Sequence, residues 1–274
     1  MVSAANVELD EYVVLDFETT GLHPHRHRVI EVGAYIVRNH KILDSFTSLC
    51  NPGKKLPSFI VKFTGITDEM LVGQPTPEQV MRRLHGFLGN RPIIAHNAAF
   101  DSKFLVAEMN RVGQKISNPF VCSLLLSRRL FPQIRSHKLS NLQSELGIHI
   151  GTSHQSHRAL DDAFVTVALF SNLLQTLRGK FDAFHVDWAL LHSLSKVPKA
   201  KVKGFLESYN LNGSCQSGLS LSPKDAAANS NGLDKPTNSK QKKRKRQGSL
   251  ASAFSSSTKR RRSNRSAAVS AIAG

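Results

Sequence analysis

An alternation of strand-like apolar runs with helical patterns fills residues 12–178 and limits the fold more than any other feature of the chain. Three β-rich runs come first, and the connection VRNHK between the second and the third is typical of a hairpin. Helical and strand-like patterns then alternate, without an internal repeat. This order predicts an α/β fold, in which a mixed five-stranded sheet has three antiparallel strands, then parallel ones, and helices on its faces.

The helix signals are clearest over residues 76–89, where Thr76 is the expected N-cap, Pro77 the first helical residue and Gly89 the end. Asn97 is expected to cap the next helix. Further helices are predicted over residues 97–113, 123–131, 137–147 and 156–180. Short strands are predicted at 92–96 and 119–121, so the sheet has its fourth and fifth strands.

Charge and composition divide the chain. The net charge is +17, but residues 201–274 hold 15 Lys and Arg against 3 Asp and Glu, whereas the first 200 hold 22 against 17. Residues 206–274 are rich in Ser, Asn, Gly and Lys and poor in large apolar side chains, which predicts a disordered basic tail. Residues 181–205 contain the single Trp and are expected to form a C-terminal extension that packs on a domain of residues 1–180.

Two basic clusters stand out in the predicted tail, at residues 242–246 and 259–262. Such clusters are typical of nuclear import signals or nonspecific nucleic-acid patches, and a merely solubilising tail is the alternative. The first twelve residues carry three acids and no Lys or Arg, unlike a signal or transit peptide. No apolar stretch reaches the ~20 residues of a membrane span. We therefore expect a nuclear protein, otherwise a cytoplasmic one, that is not secreted, has no membrane partner and binds a nuclear import receptor through the clusters.

Two acids stand one residue apart in VVLDFETTG, the first predicted strand and the turn after it. Because side chains alternate along a strand, Asp16 and Glu18 point to the same face and lie about 7 Å apart. Carboxylates this close repel each other unless a cation lies between them. Taken alone, the pair is explained equally well by solvent-exposed acids at the end of a strand.

Other acids occur at comparable positions further along the chain. Asp101 follows the predicted strand IIAH and falls in the first turn of the next helix. His157 stands on the entry to the last predicted helix, and Asp162 lies five residues later. Each has an ordinary explanation, a dipole-favoured acid or a structural histidine. Their combination with Asp16 and Glu18 favours a shared site.

The segments DFETTG, HNAAFD and HRALDDA, in this order, resemble the three motifs of DEDDh-type 3′–5′ exonucleases. These enzymes are related to the proofreading subunit of bacterial replicative polymerases, within the ribonuclease H-like superfamily. The resemblance covers about residues 10–178 and includes FTGIT at 63–67. It implies the ribonuclease H-like form of the predicted sheet.

The resemblance also implies a role for each matching residue. Asp16, Glu18, Asp101 and Asp162 would hold two metal ions, and His157 would be the general base. The family pattern selects Asp162 rather than Asp161, and His157 decides the subclass. Hard oxygen ligands without thiolates favour Mg²⁺, with Mn²⁺ able to substitute. The residues implied for substrate binding are Thr20, Gly21, Leu22, Phe63 and Asn97. Where relatives usually have Asp, this chain has Cys122, so we expect changed local hydrogen bonding without loss of catalysis.

The expected activity is metal-dependent 3′–5′ hydrolysis of single-stranded DNA or RNA ends, releasing nucleoside 5′-monophosphates, with nucleic acid as the partner. One alternative is a 3′ exoribonuclease specific for RNA, since no residue reports how the pocket treats a 2′-hydroxyl. Another is a nucleic-acid-binding module with an inactive nuclease fold, against which the presence of all five catalytic residue types argues.

Overall fold

The computed structural model of the protein describes residues 11–149, 157–180 and 186–212. Its centre is a five-stranded sheet of order β3-β2-β1-β4-β5. The strands are β1 (Glu11–Thr19), β2 (Val29–Arg38), β3 (Lys41–Leu49), β4 (Ile93–Ala95) and β5 (Phe120–Cys122). The first three pair antiparallel, whereas β4 runs parallel to β1 and β5 parallel to β4. The predicted fold class is confirmed.

The hairpin predicted between β2 and β3 is a two-residue turn, because Arg38 pairs directly with Lys41. Its central residues, Asn39 and His40, both have positive φ angles, of 49° and 62°. Positive φ at both positions is what the tight hairpin turn requires, and Asn tolerates it better than most residues.

Nine helices lie in the part of the chain that the structure describes. They are α1 (Ser58–Thr64), α2 (Asp68–Leu71), α3 (Pro77–Leu88), α4 (Ala98–Arg111), α5 (Ser123–Leu130), α6 (Leu139–Glu145), α7 (Ala159–Lys180), α8 (Trp188–Lys196) and α9 (Val202–Asn212). None of these described helices combines the length and the apolar composition that crossing a membrane requires.

Strand β1 is buried on both faces, and its side chains alternate between two cores. Val13, Leu15 and Phe17 pack with residues of α3 and α4. Tyr12 and Val14 point the opposite way and pack with α5, α7 and α8. Because the period of a strand is two residues, Asp16 and Glu18 continue the second set and face α7.

The helix predicted at 76–89 forms as α3 with a full capping box. The Thr76 hydroxyl accepts from the Gln79 backbone N–H, the Gln79 side chain accepts from the Thr76 N–H, and Pro77 is the first helical residue. Asn97 differs from the prediction. It occupies the N-cap position of α4, but it is left-handed (φ 72°) and its side chain makes no capping bond.

The C-terminal part of the described chain packs on the α7 face of the sheet. Leu190, Leu191 and Leu194 of α8 and Leu206 of α9 are buried in the same core as Tyr12. Helix α9 runs to Asn212, so the boundary predicted at residue 206 lies inside a helix, because Leu206 has apolar surface to bury. The rest of the predicted tail, with the clusters at 242–246 and 259–262, lies outside the described residues.

Candidate active site

Asp16 and Glu18 lie near the end of β1 and project toward the start of α7. Glu18 of β1 pairs with Glu31 of β2, whereas the next residue, Thr19, pairs with Val29, so the pairing shifts by one residue at this point. Such a bulge bends the chain and ends regular pairing. The acids are thus inside the strand rather than after it, and Glu18 is buried with 8% exposure.

The first turn of α7 supplies the second part of the cluster. His157 precedes the helix in a left-handed conformation (φ 68°), and its backbone N–H donates to Asp162 Oδ2 at 3.3 Å. Ligand atoms of Glu18, His157 and Asp162 all lie within 4.8 Å of one another. Glu18 and His157, which are 139 positions apart in the chain, therefore meet at one point.

Asp101 completes the cluster from the first turn of α4. It is only 2% exposed, and its Oδ1 has no hydrogen-bond partner among the described residues. Burial raises the pKa of this carboxyl to about 8, although the backbone N–H groups of Asp101 and Phe17 act in the opposite direction. A buried carboxylate oxygen without a partner is costly, and a bound cation would satisfy it.

The carboxylates raise one another's pKa values. Burial raises the pKa of Asp16 well above its ordinary value, and the charges of Asp101, Glu18 and Asp162 raise it further. Burial and the charges of Asp162, Glu31 and Asp101 raise the pKa of Glu18 to about 9. Four acids within interaction range of each other are unfavourable without a cation. The donor set, carboxylate oxygens with one imidazole, fits Mg²⁺ or Mn²⁺.

His157 differs electrostatically from the acids around it. Its ring packs against Phe63, with ring centroids 4.2 Å apart. Partial desolvation lowers the pKa of His157 below its ordinary value. The imidazole is therefore neutral near pH 7 and can accept a proton.

Two residues that the motifs did not point to hold α7 in place. Glu31 of β2, 2% exposed, accepts from the Arg158 guanidinium at 2.6, 3.0 and 3.1 Å and from the Ala159 backbone N–H at 3.0 Å. Gly33, also on β2, leaves room for the backbone of Ala159 and Leu160. An acid inside the β-rich run RVIEVGAYIV was the available signal for Glu31.

The turn after Glu18 contains three of the predicted substrate-binding residues. The Thr20 N–H donates to Arg28 O at 2.9 Å, and its hydroxyl accepts from the Arg28 N–H at 3.0 Å. Gly21 has φ 155°, and a Cβ there would lie 2.5 Å from the ring of His27. Leu22 is 52% exposed. The turn is therefore fixed in its backbone and open in its last side chain.

A buried ion network holds the far end of this turn. Glu108 of α4 is fully buried and accepts from Arg28 Nε at 2.9 Å and from the Val29 backbone N–H at 3.2 Å. Arg28 also donates to Glu78 of α3 at 2.5 Å. The network joins the turn to both helices on the other face of the sheet.

The remaining predicted residues lie at the edges of the cluster. Phe63, 40% exposed, covers His157. Asn97 is exposed at the start of α4, four residues before Asp101. Beside Cys122, Ser123 Oγ lies 3.3 Å from Ala95 O and 3.0 Å from His96 Nδ1, so hydrogen bonding at the end of β5 passes through Ser123.

A family model described as Exonuclease, RNase_T, matches residues 13–170, which contain all ten predicted site residues. The DNA polymerase III subunit epsilon of Aquifex aeolicus is 35% identical over 171 residues, 62% of this chain and 83% of that subunit. The PolC-type DNA polymerase III of Clostridium perfringens is 35% identical over 193 residues. That match covers 70% of this chain but only 13% of the polymerase's length.

Solved exonuclease structures share the fold. Exonuclease X in complex with 5′ overhanging duplex DNA superposes with a TM-score of 0.51 at 25% identity, over 60% of this chain and 92% of that one. E. coli Exonuclease I in complex with a dT13 oligonucleotide gives a TM-score of 0.55 at 19% identity, over 64% and 43%. At the lower identity, the similarity concerns the fold alone.

Proposed function

Because the chain belongs to the RNase_T exonuclease family, which confirms the resemblance to DEDDh-type exonucleases, we propose that it is a metal-dependent 3′–5′ exonuclease. The observation that carries the proposal is the meeting of Asp16, Glu18, Asp101 and Asp162 with His157 at one end of the sheet. An inactive relative would have no reason to keep four mutually repelling acids there.

The side chains of this site divide into metal ligands and a base. Asp16, Glu18, Asp101 and Asp162 would hold two divalent ions, of which Mg²⁺ is the proposed physiological one. When bound, such ions neutralise charge on a phosphate and ease ionisation of a water. His157 takes the proton of the attacking water, because its lowered pKa leaves it neutral at pH 7. The bond from its backbone N–H to Asp162 Oδ2 orders the backbone of His157, and its ring packs against Phe63.

The turn after β1 would receive the terminal nucleotide. The backbone of Thr20 is bonded to that of Arg28, and the ring of His27 lies close over Gly21, so the turn offers an ordered backbone surface next to Glu18. Leu22 is exposed enough to pack against the last base, and Phe63 offers an aromatic face on the His157 side. Asn97 borders the site from α4.

The substrate that we propose is the 3′ end of a single-stranded DNA or RNA, shortened by release of nucleoside 5′-monophosphates. It is supported by the relatives, since Exonuclease I is known in complex with a dT13 oligonucleotide and Exonuclease X with 5′ overhanging duplex DNA. Matched DNA and RNA strands, single and duplex, would be digested in parallel to find which sugar is accepted.

The test of the metal assignment compares two neighbouring acids. Asp162→Asn should abolish Mg²⁺-dependent shortening of a 5′-labelled strand, as EDTA should for the wild type. Asp161→Asn removes the adjacent first-turn acid with the same change of size and charge, and it should leave shortening close to wild type. Chromatography of the product should show nucleoside 5′-monophosphates. More than a few per cent of activity in the Asp162 variant would contradict the assignment.

We further propose that the protein acts in the nucleus. The support is in the sequence alone, in the basic clusters at residues 242–246 and 259–262. A fluorescent fusion of the full chain should be nuclear, and replacing both clusters with Ala should make it cytoplasmic. A fusion that stays nuclear without the clusters would contradict an import-receptor partner.

A further inference from the structure

The loop from Leu22 to Arg28, LHPHRHR, continues from the turn after Glu18 and carries an unusual concentration of basic groups. Residues 19–30 contain three His and two Arg but no acid. His23, His25 and Arg26 are exposed to solvent. We call Leu22–Arg28 the cationic loop.

The cationic loop has a defined shape. The backbone N–H groups of Arg26 and His27 donate to His23 O at 2.9 and 2.8 Å, and the rings of His23 and His27 stack with centroids 5.9 Å apart. Arg111 of α4 donates to Pro24 O at 2.6 Å. These bonds hold the backbone of the loop in place before any ligand arrives, which lowers the entropy cost of binding.

A second element adds positive charge beside the loop. Lys54 Nζ lies 3.4 Å from Arg26 O, and the next residue, Lys55, is exposed. Both belong to residues 45–67, which contain no acid. Arg28 is neutralised by Glu78 and Glu108, but Arg26 and Lys54 form no ion pair with the described residues. The two charges, one from each segment, therefore face solvent together.

The position of these charges identifies the ligand. Leu22, whose exposed side chain would meet the last base, is the first residue of the cationic loop. A strand whose last nucleotide occupies that turn brings the preceding phosphates within reach of the loop when it runs over Leu22. Exposed cations at such a place are suited to a polyanion rather than to a single small anion.

We propose that the cationic loop, with Lys54, binds the sugar-phosphate backbone of a single nucleic-acid strand next to its terminal nucleotide. The proposal rests on the proposed exonuclease function, since it takes the pocket as the place of the 3′ end. It assigns Arg26 and Lys54 to substrate binding, outside the catalytic cluster.

The test is the salt dependence of binding, measured on the full chain with and without Arg26→Ser/Lys54→Ser. Fluorescence anisotropy of a labelled dT oligonucleotide in EDTA gives the affinity without cleavage. Each lost phosphate contact lowers the slope of log affinity against log salt by about 0.7 for single strands, so two contacts lower it by about 1.4. Between about 50 and 200 mM salt, the wild type should then lose about sevenfold more affinity than the variant.

The control removes two charges elsewhere. Lys41→Ser/Lys199→Ser changes the hairpin at the opposite end of the sheet and the exposed turn before α9, and it should keep the wild-type slope. Arg26→Lys keeps the positive charge and should therefore keep most of the wild-type slope. Thermal melting checks that all variants fold. If the slope of the Arg26/Lys54 variant equals that of the control, the proposal is overturned.

A short substrate separates this proposal from the exonuclease proposal. Thymidine 5′-p-nitrophenyl phosphate has no internal phosphates to reach the loop, so the Arg26/Lys54 variant should hydrolyse it at the wild-type rate. If the wild type hydrolyses neither this compound nor strands, the exonuclease proposal fails, and the salt slope still decides whether the loop binds phosphates. A loss of hydrolysis confined to the variant would place Arg26 or Lys54 in the pocket instead, and overturn the assignment.

Discussion

Replacing Gly33 with Ala tests whether the close packing of α7 on the sheet sets the geometry of the site. Gly33 pairs with Asp16 across β1 and β2, and the first turn of α7 lies directly over it. A Cβ at Gly33 would lie 2.2 Å from both Ala159 C and Leu160 N. Ordinary van der Waals contact begins at 3.4 Å, so the Cβ would be more than 1 Å too close. Both are backbone atoms, so no side chain can move aside to make room.

The required shift acts on the residues that do the chemistry. Helix α7 would have to retreat from the sheet by about 1 Å, which is the gap to ordinary contact. It would carry Asp162 with it and move His157, whereas Asp16 and Glu18 would stay on β1. A misplacement of about 1 Å costs about 100-fold in rate. Overpacking of this kind also lowers the free energy of unfolding by about 1–3 kcal/mol.

The assay compares turnover on a labelled single strand, Mn²⁺ affinity by calorimetry and the urea midpoint. Gly86→Ala is the matched control, because no atom lies within 4 Å of a Cβ there and Gly86 is in helix α3. In a helix, Ala is favoured over Gly by about 0.5–1 kcal/mol, so this control should keep activity and gain stability. A Gly33→Ala variant with turnover within about threefold of wild type and unchanged Mn²⁺ affinity would refute the reasoning.

Three further outcomes are expected. Glu31→Gln removes the charge opposite Arg158 and should lower the free energy of unfolding by about 1.5–3 kcal/mol in urea titrations. An unchanged midpoint would show that the bond between Glu31 and Arg158 does not stabilise the packing of α7 on β2. Without metal, stability should fall between about pH 5 and pH 9, because folded Glu18 and Asp101, with pKa values of about 9 and 8, keep protons that the unfolded chain loses; thermal melting that rises over this range would contradict it. His157→Asn, which tolerates the left-handed backbone, should lose about 10²–10⁴-fold in turnover with calorimetric metal affinity retained, and loss of both would make His157 a ligand.

Local patterns predicted the sheet and its best-capped helix because their signals lie within a few residues. The N-cap at Thr76 and the hairpin within VRNHK are examples, although the capping box and the two-residue length of the turn came from the structure. Helices α1 and α2 were not predicted, since they have seven and four residues, too few to show a helical period. Asn97 shows a different limit. A residue type that suits both a cap and a left-handed turn does not reveal which one it serves.

The clustering of the motif acids could be predicted from the sequence, but the residues that support the cluster could not. Asp101 and Asp162 each lie in the first turn of a helix, Asp16 lies near the end of β1, and the three motifs that contain them occur in order. The bond between Glu31 and Arg158 joins residues 127 positions apart, so no local pattern contains it. Glu31 is buried because the first turn of α7 lies on β2, a contact that only the folded structure contains.

The electrostatics of the site and of the cationic loop oppose each other, and this opposition orders the binding events. Asp16, Glu18, Asp101 and Asp162 offer a phosphodiester no positive charge, and each of them that ionises repels it, so we expect a strand to bind there only together with divalent ions. The loop, one turn beyond Glu18, attracts the same strand regardless of metal. Nucleic acid should therefore bind through the loop in EDTA with strong salt dependence, and adding Mn²⁺ to His157→Asn, which keeps all four acids, should add affinity that depends on a free 3′ end. If Mn²⁺ adds nothing for a free 3′ end compared with a blocked one, the acids do not hold the ions that receive the phosphate.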